Sequence, residues 1–431
     1  MPSTGLKLLR YQKPPLTVNW ISLALRNLLR NAHRSITTIA AVALGYAAIN
    51  ILAGFSSYMF ASIADGHIYE QNNGHLQIWK AGAREYGGSD PGAYLISAEE
   101  FAEIKTRTEE DLRVEFAAGM LEVQGNLDID GRTGFFVGQA MVPSEKEAIH
   151  SRSTALRSAD GDTFEGKEIT DQDTDGIGIT TGMAENLKID IHSPVILMAP
   201  SLAGQVNALD AEVLQISEVA SEALNNRYVF LPLSLAQSLY DTDGVSCVRI
   251  LLKDGADTDD VTAMLREELP EEGWEVITWY DISRLYLRTK RMFDIIFGLV
   301  FAIIVTIVTM SVLNTIGMAV VERTREIGTL RAIGLKRPGV VRLFGTESAL
   351  LGVIGTVVGL LFTLAFALMI GWLEPTWEPP VTARKIVWEI RILPMYLLVT
   401  FCLLVVFTSL AAIAPARRAA KQSIVDSLGH V

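Results

Sequence analysis

The sequence predicts a membrane protein: four transmembrane α-helices, with a large mixed α/β extracytoplasmic domain between helices 1 and 2. Three observations carry this. Four stretches are long and apolar enough to cross a bilayer, the charges separate into blocks of opposite sign, and the acidic block interleaves strand-like with helix-like patterns. Of the 431 residues, 49% are hydrophobic and 20% charged, with a mean hydropathy of +0.29. Soluble domains carry about 25% charged residues, and disordered chains carry far fewer apolar ones. A disordered chain and a wholly water-soluble one are both excluded.

Crossing a bilayer takes about 20 apolar residues. The four spans are expected at 36–60, 291–321, 346–372 and 395–414, the second having no charge between Asp294 and Glu322. The first is too long, and begins too far into the chain, for a cleaved signal peptide. The net charge of −12 divides into +6 over residues 1–60, −23 over 61–290 and +5 over 291–431. Lys7, Arg10, Lys13, Arg26, Arg30 and Arg34 precede span one, six Lys/Arg from Arg323 to Arg342 lie between spans two and three, and Arg417, Arg418 and Lys421 follow span four. Basic residues stay inside. The 1–35 N-terminus, the 322–345 loop and the 415–431 tail are therefore expected in the cytoplasm. The 61–290 domain and the 373–394 loop, whose charges are mixed, are expected outside. Residues 20–34 (WISLALRNLLRNAHR) are amphipathic and read either as a helix on the membrane surface or as a plain extension of span one.

Within 61–290, strands are expected at 74–79, 119–123, 134–142, 195–198, 211–219, 245–253 and 274–279. Helices are expected at 97–113, opened by a Ser97–Glu100 capping box, and at 179–187 and 259–269. The first strand–helix–strand unit repeats the order of the last. The expectation is two β–α–β units side by side, with a β-rich insertion between about 120 and 235. Residues 281–294 are amphipathic and should extend span two.

The residues that could carry chemistry argue against it. Gly161–Lys167 has the spacing of a phosphate loop but ends in Glu168 where a magnesium-binding hydroxyl is needed, among acids that repel phosphate. The acid run 171–175 (DQDTD) lacks the distal Glu of a calcium loop, and no acid completes a metal set with His67 and His75. Cys247 and Cys402 are too far apart to suggest a disulfide framework. Inside the spans only Asn50 and Asn314 are notably polar, with Asp294, Glu322 and Glu347 at the ends. Ion-coupled pumps place ionisable groups at membrane depth, so a self-powered transporter is disfavoured, and no cofactor, metal or catalytic residue is expected.

Residues 322–334 (ERTREIGTLRAIG) place Ile327, Leu330 and Ile333 or Gly334 on one narrow face, among charges at helical spacing. The segment suits either a short docking helix or a membrane-surface turn with ordinary basic residues. The longer stretch VVERTREIGTLRAIGLKRPGVVRLFGTESALLGVIGTVVGLL (320–361) resembles the permeases of the FtsX/MacB/LolC–LolE class of ABC transporters. GMAENLKIDIHSPVILM and RYVFLPLSLAQSLY resemble the MacB-like periplasmic core of the same class, and the layout is nearest to the LolC/LolE lipoprotein-releasing permeases.

That resemblance implies a coupling helix that docks on a separate ATPase through Glu322, Arg323, Arg325, Glu326, Gly328, Leu330, Arg331 and Gly334. It implies two cytoplasmic ATPase subunits holding ATP and Mg, a second permease (identical or related) and mechanotransmission to the periplasmic domain, in the bacterial inner membrane. Membrane lipids and a periplasmic lipoprotein carrier or adaptor are further implied partners; nucleic acid is not one. The implied role is extraction or release of lipoprotein or another lipid-like substrate. Alternatives are a tripartite efflux or peptide-export permease and a regulator of a periplasmic cell-wall hydrolase.

Overall fold

In the computed structural model the described residues are 20–88, 90–153, 164–218, 224–270, 272–377 and 386–423. Lys7, Arg10, Lys13 and the start of the phosphate-loop-like segment, residues 161–163, lie outside them. The chain divides into a helical unit (Met1–Gly54, Ile295–Met369, Arg391–Val431) and a sheet-containing unit (Phe55–Asp294, Ile370–Ile390).

Among the described residues, the large sheet of the sheet-containing unit has ten strands: β1 (Leu76–Lys80), β2 (Val114–Ile129), β3 (Arg132–Met141), β4 (Phe164–Gly166), β5 (Gly176–Thr180), β6 (Pro194–Pro200), β7 (Val206–Ser217), β8 (Tyr228–Pro232), β9 (Cys247–Leu252) and β10 (Trp274–Thr278). Strands β10–β1–β9–β2 form an antiparallel sheet. Helices Ala98–Glu109 and Thr258–Glu268 supply its two β–α–β crossovers. The two expected units are thus interleaved in one sheet, a split β–α–β arrangement.

The insertion closes on itself. From β2 the pairing runs through β3, β8, β5, β7 and β6 and returns to β2 at Asn126–Asp128. Closure removes free strand edges. Strand β2 belongs to both bodies, and its sequence records the change. Residues 117–121 are buried without interruption, whereas Leu121, Val123, Gly125 and Leu127 then alternate with exposed Glu122, Gln124 and Asn126. The first half is covered on both faces. The second has one face in the barrel core with Phe136, Ile179, Leu197, Val213 and Val229, and the other in solvent.

The Ser97–Glu100 capping box forms, with the Ser97 backbone N–H donating to Glu100 at 2.8 Å. The helix ends at Glu109 rather than 113, because Asp111 accepts from both the backbone N–H (2.8 Å) and the guanidinium (2.6 Å) of Arg113 and turns the chain. Phe164–Gly166 pairs with β7 as an edge strand. Lys167 is held by Asp173 at 2.6 Å, and that bond, helped by Thr170, pulls the Asp173 carboxyl down to about 2.

Among the described residues, four helices are long and apolar enough to span a membrane, over Ala32–Glu70, Tyr286–Glu322, Arg337–Leu373 and Pro394–Lys421. Together with the α/β domain they bear out the expected fold class. The 20–34 segment is not one helix. It breaks at Asn31, a poor helix-interior residue whose amide competes with the backbone, into Trp20–Arg30 and the start of Ala32–Asp65. The first and third spanning helices approach closely: a Cβ on Gly355 would lie 2.6 Å from Val42 Cβ, and one on Gly359 2.6 Å from the Ala43 carbonyl. Asn50 in the first donates to Thr400 in the fourth at 3.0 Å.

Candidate functional site

The 322–334 segment is built as a joint. The long helix Arg284–Glu322 stops at Glu322. Arg323 takes a non-helical conformation, and the nine-residue helix Thr324–Ala332 follows. Gly334, at φ +116°, ends it in a backbone region that side chains resist. Pro338 then sits in the first turn of Arg337–Leu373, where a missing N–H costs nothing.

The short helix buries Thr324, Ile327 and Gly328. Ile327 packs with Val320, Val340, Phe344 and Ala416, while the Thr324 hydroxyl donates to the Val320 carbonyl at 3.0 Å. Beneath it, Arg323 is 9% exposed and Glu347 2%. The Arg323 guanidinium donates to Glu347 Oε1 at 3.1 Å and to the Asn27 carbonyl at 3.1 Å, and Asn27 Nδ2 donates to the same carboxylate. One buried ion pair therefore ties together the Trp20–Arg30 helix, the short helix and the third spanning helix. Around it lie two exposed pairs, Arg34 with Glu322 (2.7 and 3.0 Å) and Arg30 with Glu326 (3.0 Å). Arg331 donates to the Gln422 carbonyl.

The eight expected residues thus divide. Arg323 is structural, and Gly328 faces inward. Glu322, Glu326 and Arg331 are engaged at the rim. Arg325, Leu330 and Gly334 face solvent, joined by Ile333 at 63% exposure. Sequence reasoning missed Asn27 and the pairing of Glu347. The available signal was a carboxylate just inside an apolar span, which is costly unless paired.

In the large domain a cavity of about 620 Å³ opens beside the sheet, lined by Trp79, Glu122, Gln124, Gln139, Tyr228 and Arg249 among others. Arg249, on the fully buried strand β9, donates to the Asn72 carbonyl at 2.6 Å and to Gln139 Oε1 at 3.0 Å. Crowding by protein limits hydration in this concavity. It pushes up the Glu122 carboxyl and moves the Tyr228 hydroxyl to about 12. Cys247 is buried with its thiol raised to about 12, which removes it as a nucleophile. His75 accepts from the Leu252 N–H at 3.1 Å and is lowered by burial to about 4, so it is neutral. These groups can hold a polar ligand or stiffen the sheet; they do not form a nucleophile–base pair.

The MacB-like periplasmic core domain family matches residues 35–268, and the FtsX-like permease C-terminal family matches residues 298–424. The chain belongs to the MacB/LolC/FtsX type of ABC transporter permease. An uncharacterized ABC transporter permease, MJ1507 of Methanocaldococcus jannaschii, is 21% identical over 80% of this chain and 83% of its own length. The lipoprotein-releasing system transmembrane protein LolC of Neisseria meningitidis is 24% identical over 44% of this chain. The macrolide export ATP-binding/permease protein MacB of Escherichia coli is 26% identical over 56%. The matches span only 46% of LolC and 36% of MacB. A permease of this type is a membrane protein that works in a dimer with a cytoplasmic ATPase.

Proposed function

We propose that this permease converts ATP binding and hydrolysis by a separate ATPase subunit into movement of its extracytoplasmic domain, and that the movement extracts or releases a lipoprotein or other lipid-like substrate from the inner membrane. The observation that carries the coupling half is the exposed face of the Thr324–Ala332 helix. Arg325 and Leu330 on the helix, with Ile333 at its C-terminal end, point outward, while the opposite face is anchored through Ile327 and the Arg323–Glu347 pair. A short amphipathic helix clamped on one side and bare on the other suits a socket on a partner. The helix before it, Arg284–Glu322, runs 39 residues without a break, about 58 Å at 1.5 Å per residue, so a push at the joint has a stiff element to travel along. Lys and Arg near the spans support a cytoplasmic joint and cytoplasmic termini. The LolC relative supports the substrate class. ATP and Mg belong to the ATPase in this reading, with two ATPase copies serving two permeases.

The test is co-purification from native membranes. An ATPase should accompany the wild-type chain and be lost from the Arg325→Glu, Leu330→Asp double variant, whose buried anchor is intact. Arg323 is unsuitable for this purpose, because its loss would undo the joint itself. Absence of any ATPase from the wild-type sample would sink the coupling reading. With the ATPase supplied, ATP-dependent release of lipoprotein from vesicles tests the substrate; release that does not depend on ATP would refute it.

A further inference from the structure

The two asparagines inside the spans, Asn50 and Asn314, have different fates. Asn50 is buried and bonded to Thr400 and to the Tyr46 carbonyl. Asn314, on the second spanning helix, is exposed, and no partner for its amide is found among the described residues. Hydrocarbon offers an amide no donor or acceptor, so a lipid-facing Asn at this depth is left unsatisfied. It also does not stand alone. Ile303, Ile307, Met310, Asn314, Gly317 and Val321 follow one another in steps of four, three, four, three and four. That is the 3.5-residue repeat of a left-handed helix pair, with Asn314 at the position where a single polar residue sets register. Ile303, Ile307, Met310 and Val321 are 50, 58, 63 and 67% exposed, and a Cβ on Gly317 would meet nothing within 4 Å. The opposite face, through Val308, Val312 and Ile316, is buried. This helix has 11% of its apolar window buried, against 22 to 39% for the other three.

We propose that this stripe is the surface on which a second copy of this chain packs, the two helices running parallel with their Asn314 amides hydrogen-bonded to each other. An amide both donates and accepts, so a twofold axis through the stripe satisfies both copies with one residue. Identical chains insert with the same topology, so the pair is parallel. The inference rests on the permease-dimer reading and deepens it by naming the contact.

The experiment uses the full chain in native membranes, with the exposed Cys402 replaced by Ser, the buried Cys247 left in place, and one cysteine added at a time by Ile303→Cys, Met310→Cys or Ala302→Cys. Mild oxidation should give a disulfide-linked dimer at 303 and 310 and little at 302, which lies at the same depth but off the stripe. Asn314→Leu in the Met310→Cys background should weaken the dimer about three- to tenfold, in line with measured interhelical polar contacts; its elution as a single species in detergent checks that it folds. Differently tagged copies that co-purify without cross-linking on the stripe would overturn the surface alone. Copies that do not co-purify would overturn the identical pair, and with it the homodimer form of the permease reading. Cross-linking on the stripe to a different chain would overturn the choice of partner.

Discussion

The large domain and the cytoplasmic joint each bury an arginine, and they do it in opposite ways. Arg249 is 1% exposed on a strand buried along its whole length, and neutral acceptors hold it: the Asn72 carbonyl and the Gln139 amide. Arg323 is held by a carboxylate from another helix. In the domain, strands on both sides fix the backbone before the guanidinium is considered. At the joint, three helices meet with few backbone bonds between them, and the ion pair itself is the fastener. The difference locates where each region breaks: the domain through its packing and closure, the joint through its charges.

The largest effect is therefore expected at Glu347. Removing one partner of a buried pair leaves an uncompensated charge, which costs about 3–5 kcal/mol. Glu347→Ala should lower the thermal midpoint of the detergent-purified protein strongly, and Arg323→Met combined with Glu347→Leu should recover most of the loss. Equal destabilisation in the single and double variants would mean that side-chain volume, not charge, holds the joint.

His75 sharpens the contrast from the domain side. Its ring is held near 4, against 6.5 for the free side chain, chiefly by burial. Above pH 6.5 both folded and unfolded states are neutral and nothing is lost. Between 6.5 and about 4 the unfolded chain takes up a proton that the folded domain refuses, so stability falls as the pH drops. The loss is complete below 4 and amounts to about 3 kcal/mol. Asp173, held near 2, loses its contribution only below its ordinary value of 3.8, outside that window. Denaturant titrations at pH 7 and 4.5 check this, and His75→Gln should flatten the dependence while starting from lower stability. Glu122, whose carboxyl is raised by burial, works the other way in this window because the folded domain takes up that proton first, so the decisive comparison is between the two proteins: a pH dependence unchanged by His75→Gln would refute the assignment.

Closure of the barrel gives the third test. A Cβ on Gly138 of β3 would sit 1.8 Å from the Val229 carbonyl oxygen of β8, so Gly138→Ala must push apart two paired strands. A cost of about 1–3 kcal/mol, typical of overpacking, should appear in denaturant unfolding of the domain.

These same residues show what local sequence reveals. The Ser97–Glu100 cap and the apolar spans were legible because their signals lie within a few residues of one another. The closed barrel was not: β2 pairs with β9 more than a hundred residues later and with β6 at only three positions, and no local pattern encodes such a partner. Tyr228–Pro232 was missed as a strand because burial on both faces erases alternation. At the joint, the motif 322–334 was readable as a unit. Its division into an anchored and a bare face depended on Asn27 and Glu347, which lie far from it in the chain.

The smallest effect separates the two kinds of ion pair at the joint. Arg30 and Glu326 are bonded at 3.0 Å, but their side chains are 67 and 49% exposed. Water and salt screen such a pair, and measured exposed pairs contribute about 0.2–1 kcal/mol. A double-mutant cycle with Arg30→Ala and Glu326→Ala should give a coupling at the low end of that range, shrinking further in high salt. The Arg323–Glu347 cycle should stay large and salt-insensitive, because its charges are out of water. A large, salt-resistant coupling at Arg30–Glu326 would mean that the rim, too, is part of the fastener, and that Glu326 is unavailable to a docking partner.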